Sequence, residues 1–359
     1  MPILEKNRNI GLDVLRAIAI LLVLISHGRM FFHSLSLQPL SFGGFYGVEI
    51  FFVLSGYLIG KIIIRDFITS KQIKLSNLLK FYLWRILRTW PLYYILLIIL
   101  YICGNKFDWH YMLFLQNFND KQLSLWGVTW SLTIEEYYYI IFPMLILVMS
   151  IFNNNKSYIF LMIFFILIEN ILRIYLKLHY DWNMSTIRKT LYLQFDSIAI
   201  GGLLSYIKIF NDKLFDLIAK QYYYGLILFF LNIIIYVSYG FGGINYEHSI
   251  LCSTINFDIA ALSVFLIIPF FEKSIWQDKL FTKALQITGL ISYSLYLIHY
   301  KIFIYLSNLP IITNSSKFNQ LMEFLIAMVL VYMISFLSYY FIERNFLKNR
   351  QRIFNFLSR

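Results

Sequence analysis

The chain has 359 residues, of which 59% are hydrophobic and only 14% are charged, and this composition excludes an ordinary soluble domain. The formal net charge is +12, but the basic residues stand in short clusters between apolar runs, so a nucleic-acid partner is not expected. Several apolar runs reach the roughly 20 residues that a helix needs to cross a bilayer. The sequence therefore predicts an all-α, polytopic integral membrane bundle.

About ten transmembrane helices are predicted in chain order. Their approximate limits are 11–31, 43–65, 85–104, 128–152, 157–178, 190–209, 222–240, 248–271, 284–306 and 319–343. Ten spans place both termini on one side, and most Lys and Arg residues outside the spans fall on that side. The positive-inside rule then predicts cytoplasmic termini in the cytoplasmic (inner) membrane. We divide the chain into a transmembrane domain, 1–346, and a basic cytoplasmic tail, 347–359.

Ionisable residues recur inside the predicted spans, although each costs about 2.5 to 3.5 kcal/mol near the bilayer centre. They are Asp13, Arg16, His27, Glu49, Glu135, Glu136, Asp196, Asp258 and His299. The predicted topology puts several of them in the outer half of the membrane, namely His27, Glu49, Glu135, Asp196 and His299. Because charges there need partners or a polar cavity, we expect one polar chamber in the outer half.

In the first span, helical spacing predicts the relative positions of three ionisable residues. Eleven positions separate Arg16 from His27, so at 100° per residue the two share nearly one helix face, about 16 Å apart along the axis. Asp13 stands three residues before Arg16 and is predicted to pair with it. Taken alone, His27 could equally be a hydrogen-bonded core residue, and Asp13 and Arg16 could snorkel towards the surface.

Two arginines, Arg85 and Arg88, form an RxxR pair at the inner start of the third span. Guanidinium groups bind phosphates bidentately, so the pair could hold the phosphates of a nucleotide-bearing donor that enters from the cytoplasm. Without other observations, arginines that follow the positive-inside rule are the commoner case. In the fourth span, Glu135 and Glu136 point about 100° apart, so at most one of them readily faces a common cavity.

At these residues the sequence resembles the membrane acyltransferase-3 family, which includes bacterial O-antigen and other surface-polysaccharide O-acetyltransferases. The motifs that match, in order, are GLDVLRAIA at 11–19 followed by His27, GVEIFFVLSG at 47–56, the RxxR pair, WSLTIEEYY at 130–138 and ISYSLYLIH at 291–299. The match extends over nearly the whole chain. The sequence departs from the family at Glu49, where Asp is frequent. Some relatives have a further hydrolase-like domain, and we expect none after Arg359.

The resemblance implies an acyl-CoA donor, with acetyl-CoA as the expected case, and we expect no metal. It implies that Arg16 and His27 are essential and that Arg85 and Arg88 contact the donor. From the residues we assign the site in three groups. The catalytic group is His27, Arg16, Glu135 and Glu49; the donor-binding group is Arg85, Arg88 and Arg16; the acceptor-binding group is Glu136, Asp196, Ser292, Tyr293 and His299.

The predicted reaction moves the acyl group to a hydroxyl of a cell-envelope glycan or its lipid-linked precursor, with His27 as general base. The O-antigen of lipopolysaccharide, capsule, exopolysaccharide and other envelope polymers all stay open as acceptors, and the oligomeric state stays open too. A histidine-bound acyl relay is an alternative mechanism. A proton-coupled transporter or flippase of a lipid-linked sugar is the alternative function, since it would use the same buried charges.

Overall fold

The computed structural model of the chain describes residues 8–32, 37–69, 75–118, 125–149, 156–277, 279–309 and 316–357. Across these residues the regular secondary structure is helical, without a β-strand, which confirms the predicted all-α class. Some predicted features lie outside the described residues. They are residues 1–7 of the transmembrane domain, the end of the span at 128–152 and residues 358–359 of the tail.

Sixteen α-helices follow one another through the described part of the chain. They are α1 (Ile10–Gly28), α2 (Ser41–Ile63), α3 (Leu75–Ile102), α4 (Thr129–Met149), α5 (Lys156–Tyr180), α6 (Met184–Lys189), α7 (Phe195–Phe210), α8 (Asp212–Lys220), α9 (Tyr222–Ser238), α10 (Ile244–His248), α11 (Ile250–Ser253), α12 (Ile255–Lys273), α13 (Leu280–Leu290), α14 (Ser292–Ser307), α15 (Lys317–Ser338) and α16 (Arg344–Leu357). Two π-helical turns, Ile64–Ile68 and Tyr339–Glu343, extend α2 and join α15 to α16.

Seven helical segments of the described chain are long and apolar enough to cross a bilayer, and two bent helix pairs raise the number to nine. The bent pairs are α8 with α9, at 56°, and α13 with α14, at 72°. These segments confirm a multi-pass membrane bundle. The predicted span at 190–209 differs, because α7 has only 16 residues. Its length of about 24 Å falls short of a hydrocarbon core of roughly 30 Å.

The short helix α7 lies inside the bundle, and its residues from 195 to 202 are all buried. It crosses α2 at glycines on both helices. A Cβ atom at Gly56 would lie 1.8 Å from the carbonyl oxygen of Ile198, and one at Gly201 would lie 2.0 Å from that of Val53. Only glycine fits because the two backbones touch, as in the closest helix pairs of membrane proteins. This contact fixes the position of α7 against α2.

The break between α13 and α14 shapes the centre of the bundle. The predicted span at 284–306 is two helices, since α13 ends at Leu290 and α14 begins at Ser292. After the break, α14 packs against both α1 and α3. These two helices carry the first-span residues and the RxxR pair, so α14 brings its own polar residues next to both.

The last helix, α16, is basic and packs against α3. The guanidinium of Arg350 lies 4.3 Å from the ring centroid of Trp84 on α3. The predicted boundary between the transmembrane domain and the tail, at residue 346, falls inside this helix. The separate cytoplasmic tail therefore stays a prediction, and its described residues are helical.

Candidate active site

A cavity lies between α1, α2, α3, α4 and α14 and holds about 840 Å³ of unfilled space, counting the part that is open to solvent. Its lining includes residues that were selected from the sequence. They are Arg16, Arg85, Arg88, Glu135, Ser292 and Tyr293. Five separate helices therefore deliver cations, a carboxylate and hydroxyls to one space inside the membrane bundle.

On α1, Arg16 is held at the cavity by an ion pair. Its Nη1 atom donates to Oδ1 of Asp13 at 2.7 Å, which confirms the predicted pairing of these two residues. Asp13 also accepts from Arg8, through Nε at 2.9 Å and Nη2 at 2.5 Å. One carboxylate thus serves two guanidinium groups, and this end of the cavity carries positive charge.

Arg85 and Arg88 add further positive charge from α3. Among the described residues neither side chain forms an ion pair, and Nε of Arg85 has no hydrogen-bond partner. The guanidinium of Arg85 lies 5.8 Å from the ring centroids of both Phe81 and Tyr139. Aromatic faces can hold a cation in place without neutralising it. Both groups therefore stay available to an anion that enters the cavity.

The adjacent carboxylates of α4 separate as their helical spacing predicts. Glu135 lines the cavity, where its oxygens accept hydrogen bonds from Ser55 at 3.1 Å and from Tyr139 at 2.9 Å. Glu136 instead accepts from Nε1 of Trp90 on α3, at 3.0 Å, and is not part of the cavity lining. The structure thus does not bring Glu136 to the place where we expected it to bind the acceptor.

The two histidines, His27 on α1 and His299 on α14, form a hydrogen-bonded pair. Nδ1 of His27 lies 2.9 Å from Nε2 of His299, and Nδ1 of His299 lies 2.8 Å from the carbonyl oxygen of Leu295. His299 is fully buried, whereas His27 is only partly buried. Tyr296, which lines the cavity, has its ring 6.0 Å from that of His299. The pair therefore lies beyond the Tyr296 end of the cavity.

The hydrogen bonds of this pair assign its tautomers when both rings are neutral. A carbonyl oxygen only accepts, so Nδ1 of His299 must carry a proton and its Nε2 must carry the lone pair. Nδ1 of His27 then donates to that lone pair, and Nε2 of His27 is left unprotonated. Within the described chain this Nε2 atom has no hydrogen-bond partner. His27 can thus accept a proton there.

Glu49 and Asp196 lie apart from this site, so the expected outer chamber is not one space. Asp196, on α7, accepts from Nη2 of Arg173 at 2.7 Å, and Glu49 accepts from Oγ of Ser197 at 2.7 Å. Neither carboxylate lines the cavity. The prediction failed because α7 is buried and turns its first residues towards the cation on α5. A buried carboxylate is most stable beside such a cation.

Comparisons with known proteins agree with the sequence motifs. The model of a family described as "Acyltransferase domain" matches residues 9–340. The chain belongs to this family. The resemblance predicted from the motifs is thereby confirmed, and so is the prediction of an acyltransferase. No solved structure is significantly similar to the chain.

Several curated proteins from Staphylococcus aureus are similar to this acyltransferase domain. The chain is 30% identical to a protein named "Putative O-acetyltransferase" from strain COL, over 83% of this chain and 51% of the relative. It is 28% identical to a protein of the same description from strain MRSA252, over 97% and 59%. It is 33% identical to the O-acetyltransferase OatA of strain NCTC 8325 / PS 47, over 38% and 24%. The chain spans about half the length of the first two relatives.

In this acyltransferase domain the sequence analysis missed several polar residues of the site. Ser55, Tyr139, Ser131 and Tyr296 also line the cavity. Ser55, Ser131 and Tyr296 stand inside the matching motifs and Tyr139 directly follows one, so those motifs were the available signal. Arg188, in the short helix α6, was missed because it precedes a predicted span and looked like an ordinary loop cation.

Proposed function

We propose that this domain transfers an acyl group, acetyl in the simplest case, from acyl-CoA to a hydroxyl of a cell-envelope glycan or its lipid-linked precursor. One observation carries the proposal: within the described chain, two arginines without ion pairs line one cavity, and a histidine with a free Nε2 lone pair lies beyond the Tyr296 end of that cavity. We place both termini in the cytoplasm, with α7 as the tenth crossing inside the bundle, so that the arginines face the cytoplasmic supply of acyl-CoA.

The donor fits the arginine end of the cavity. Coenzyme A carries several phosphate charges, and guanidinium groups without carboxylate partners are the natural contacts for them. Arg85 and Arg88 would bind these phosphates, and Arg16 would add charge while it stays paired with Asp13. About 16 Å of α1 separates Arg16 from His27, a length that suits an extended pantetheine arm. When bound, acyl-CoA supplies an activated thioester carbonyl.

The histidine pair fits the role of general base. Nε2 of His27 would accept the proton of the acceptor hydroxyl as its oxygen attacks the acyl carbonyl. His299 accepts the Nδ1 proton of His27 and so holds the tautomer in which Nε2 is unprotonated. This is how a second group orients a catalytic imidazole in other acyl-transfer sites. The proton then passes from His27 to the leaving sulfur.

The cavity lining supports the passage between the two ends. Glu135 is held by Ser55 and Tyr139, so its carboxylate keeps a fixed position on the wall. Ser131 and Tyr296 share a hydrogen bond of 2.6 Å nearer to the histidines. These groups can orient the polar amides of an extended arm, whereas the apolar side chains of α2 exclude water.

The test measures acetyl-CoA binding and slow acetyl-CoA hydrolysis by the purified protein in nanodiscs. We expect Arg85→Ala/Arg88→Ala to lose binding and His27→Ala to keep binding but lose about 10²- to 10⁴-fold in turnover. Matched controls are Arg65→Ala, an exposed arginine paired with Asp66 at 2.8 Å, and His179→Ala, an exposed histidine on α5.

Either of two outcomes would contradict the proposal. Folded wild-type protein that neither binds nor hydrolyses acetyl-CoA would point to another donor or to a transporter of lipid-linked sugars. Full turnover by His27→Ala would exclude His27 as the general base. Acetyl label that stays on the protein in the absence of an acceptor would instead favour a covalent relay through histidine.

A further inference from the structure

Arg188 is a cation that has no carboxylate partner among the described residues of the bundle. Its guanidinium lies between two aromatic rings, 5.1 Å from the centroid of Phe45 and 5.0 Å from that of Trp130. Nη2 donates to the carbonyl oxygen of Gly44 at 3.0 Å. Nε is buried without a hydrogen-bond partner, and across the described ranges Arg188 forms no ion pair.

The two carboxylates whose charges act on Arg188 form hydrogen bonds with other groups, although Oε1 of Glu49 has no hydrogen-bond partner among the described residues. Glu49 accepts from Ser197, and Glu247 accepts from both the backbone nitrogen and Oγ of Ser185, at 2.9 and 2.7 Å. Desolvation accordingly lowers the pKa of Arg188, although the charge of Glu49 acts in the other direction. A guanidinium in this position is costly to bury, and within the described protein a backbone carbonyl and two aromatic rings offset that cost without a carboxylate partner.

Arg188 lies against residues that flank the histidine end of the cavity. Trp130 precedes Ser131, which lines the cavity and shares a hydrogen bond with Tyr296, and Gly44 packs against Ser26, the residue before His27. The two aromatic rings and the Gly44 carbonyl hold the guanidinium in one orientation. A fixed hydrogen-bond donor that needs no reorganisation is the arrangement that best stabilises charge developing in a transition state.

Building on the proposed function, we propose that Arg188 stabilises the oxyanion that forms on the acyl carbonyl when His27 activates the acceptor. The acceptor oxygen bonds to the carbonyl carbon, the carbonyl electron pair moves to oxygen, and the hydroxyl proton moves to Nε2 of His27. The carbonyl then re-forms as the carbon–sulfur bond breaks, and the proton goes to the thiolate. Arg188 contacts the oxygen that carries the transient negative charge.

The test uses acetyl-CoA hydrolysis, in which water replaces the sugar, alongside acetyl-CoA binding. Arg188→Ala is expected to hydrolyse acetyl-CoA about 10²- to 10³-fold more slowly with unchanged binding, since one oxyanion donor typically contributes that factor. Added guanidinium at non-denaturing concentration is expected to restore part of the rate. Arg188→Gln keeps the stem between the rings and serves if the alanine variant folds poorly. The matched control is Lys189→Ala, the adjacent exposed cation of the same helix.

Three results would overturn the inference. Unchanged hydrolysis with impaired transfer to a sugar would show that Arg188 binds an anionic acceptor instead. Slow hydrolysis without guanidinium rescue in both variants would show a structural role. Unchanged hydrolysis and transfer would show no role at all. Failure of the wild-type protein to bind or hydrolyse acetyl-CoA would be distinct from these, because it contradicts the proposed function itself.

Discussion

The arginines inside the bundle differ in what surrounds them. Arg173 on α5 is 0% exposed, and its Nη2 atom lies 2.7 Å from Asp196 and 3.6 Å from Glu169. Its Nε and Nη2 atoms also donate to the carbonyl oxygen of Leu193. Arg85, Arg88 and Arg188 form no such ion pair in the described chain. We call Arg173 with Asp196 and Glu169 the core cluster, and we call Arg85, Arg88 and Arg188 the open arginines.

The contrast teaches how to distinguish structure from function among charges in a membrane bundle. A charge that the protein neutralises itself joins helices, as the core cluster joins α5 to α7. A charge that the protein leaves without a carboxylate must gain its partner from a ligand or a reaction. Arg85 and Arg88 line the cavity, where a ligand can reach them, and Arg188 stacks on Trp130, the neighbour of the cavity residue Ser131.

The largest expected effect is the loss of the core cluster. Arg173→Ala removes the cation from between Asp196 and Glu169, and it leaves two buried carboxylates unpaired. We expect the free energy of unfolding to fall by about 3–5 kcal/mol. Thermal unfolding in detergent, followed by size-exclusion chromatography, measures the change.

A matched double variant sharpens this prediction. Arg173→Met together with Asp196→Leu removes both members of the closest pair and is expected to recover part of the lost stability. If Arg173→Ala unfolds at the wild-type temperature, the core cluster does not hold α7 in place. The claim that an ion-paired arginine stabilises the fold would then be contradicted.

The next effect concerns the orientation of the catalytic imidazole. His299→Leu removes the acceptor for the Nδ1 proton of His27 and is expected to lower turnover about 10²-fold with unchanged acetyl-CoA binding, about 2.7 kcal/mol. His299→Gln offers a side-chain oxygen as acceptor and is expected to retain more activity than His299→Leu. Steady-state hydrolysis measures both. Equal activity of the two variants would contradict a positioning role for His299.

Much of this arrangement could be predicted from residue spacing. Pairing of Asp13 with Arg16, the joint placement of the RxxR pair, and the divergence of Glu135 from Glu136 all depend on helical geometry within one element. The structure agrees with each of these expectations. Local periodicity was sufficient because each of these relations lies within a single helix.

The features that could not be predicted depend on contacts between helices. The hydrophobic run at 190–209 does not show that α7 has only 16 residues and turns Asp196 towards Arg173. Nor does the sequence show that α13 and α14 meet at 72°. The place of Arg188 between Phe45 and Trp130 brings together residues from three separate helices. Hydropathy and spacing carry no information about such assemblies.

The smallest expected change in stability belongs to the open arginines. Arg85→Ala/Arg88→Ala removes two cations that have no ion pair to lose, so the free energy of unfolding is expected to stay within about 0.5 kcal/mol of wild type. Stabilisation by acetyl-CoA should distinguish the wild type from the double variant. At a concentration 100 times the Kd, it is expected to stabilise the wild type by about 2.7 kcal/mol and the variant by much less.

Thermal unfolding with and without acetyl-CoA therefore measures both the intrinsic stability and the stabilisation by ligand on the same samples. Arg65→Ala is the control, since it removes an exposed arginine and should keep the full ligand effect. A variant that is destabilised without ligand as strongly as Arg173→Ala would show that Arg85 and Arg88 have structural partners. A variant that keeps the full stabilisation by acetyl-CoA would show that the donor binds elsewhere. Unchanged intrinsic stability with lost ligand stabilisation is the result that only an unpaired, ligand-binding cation produces.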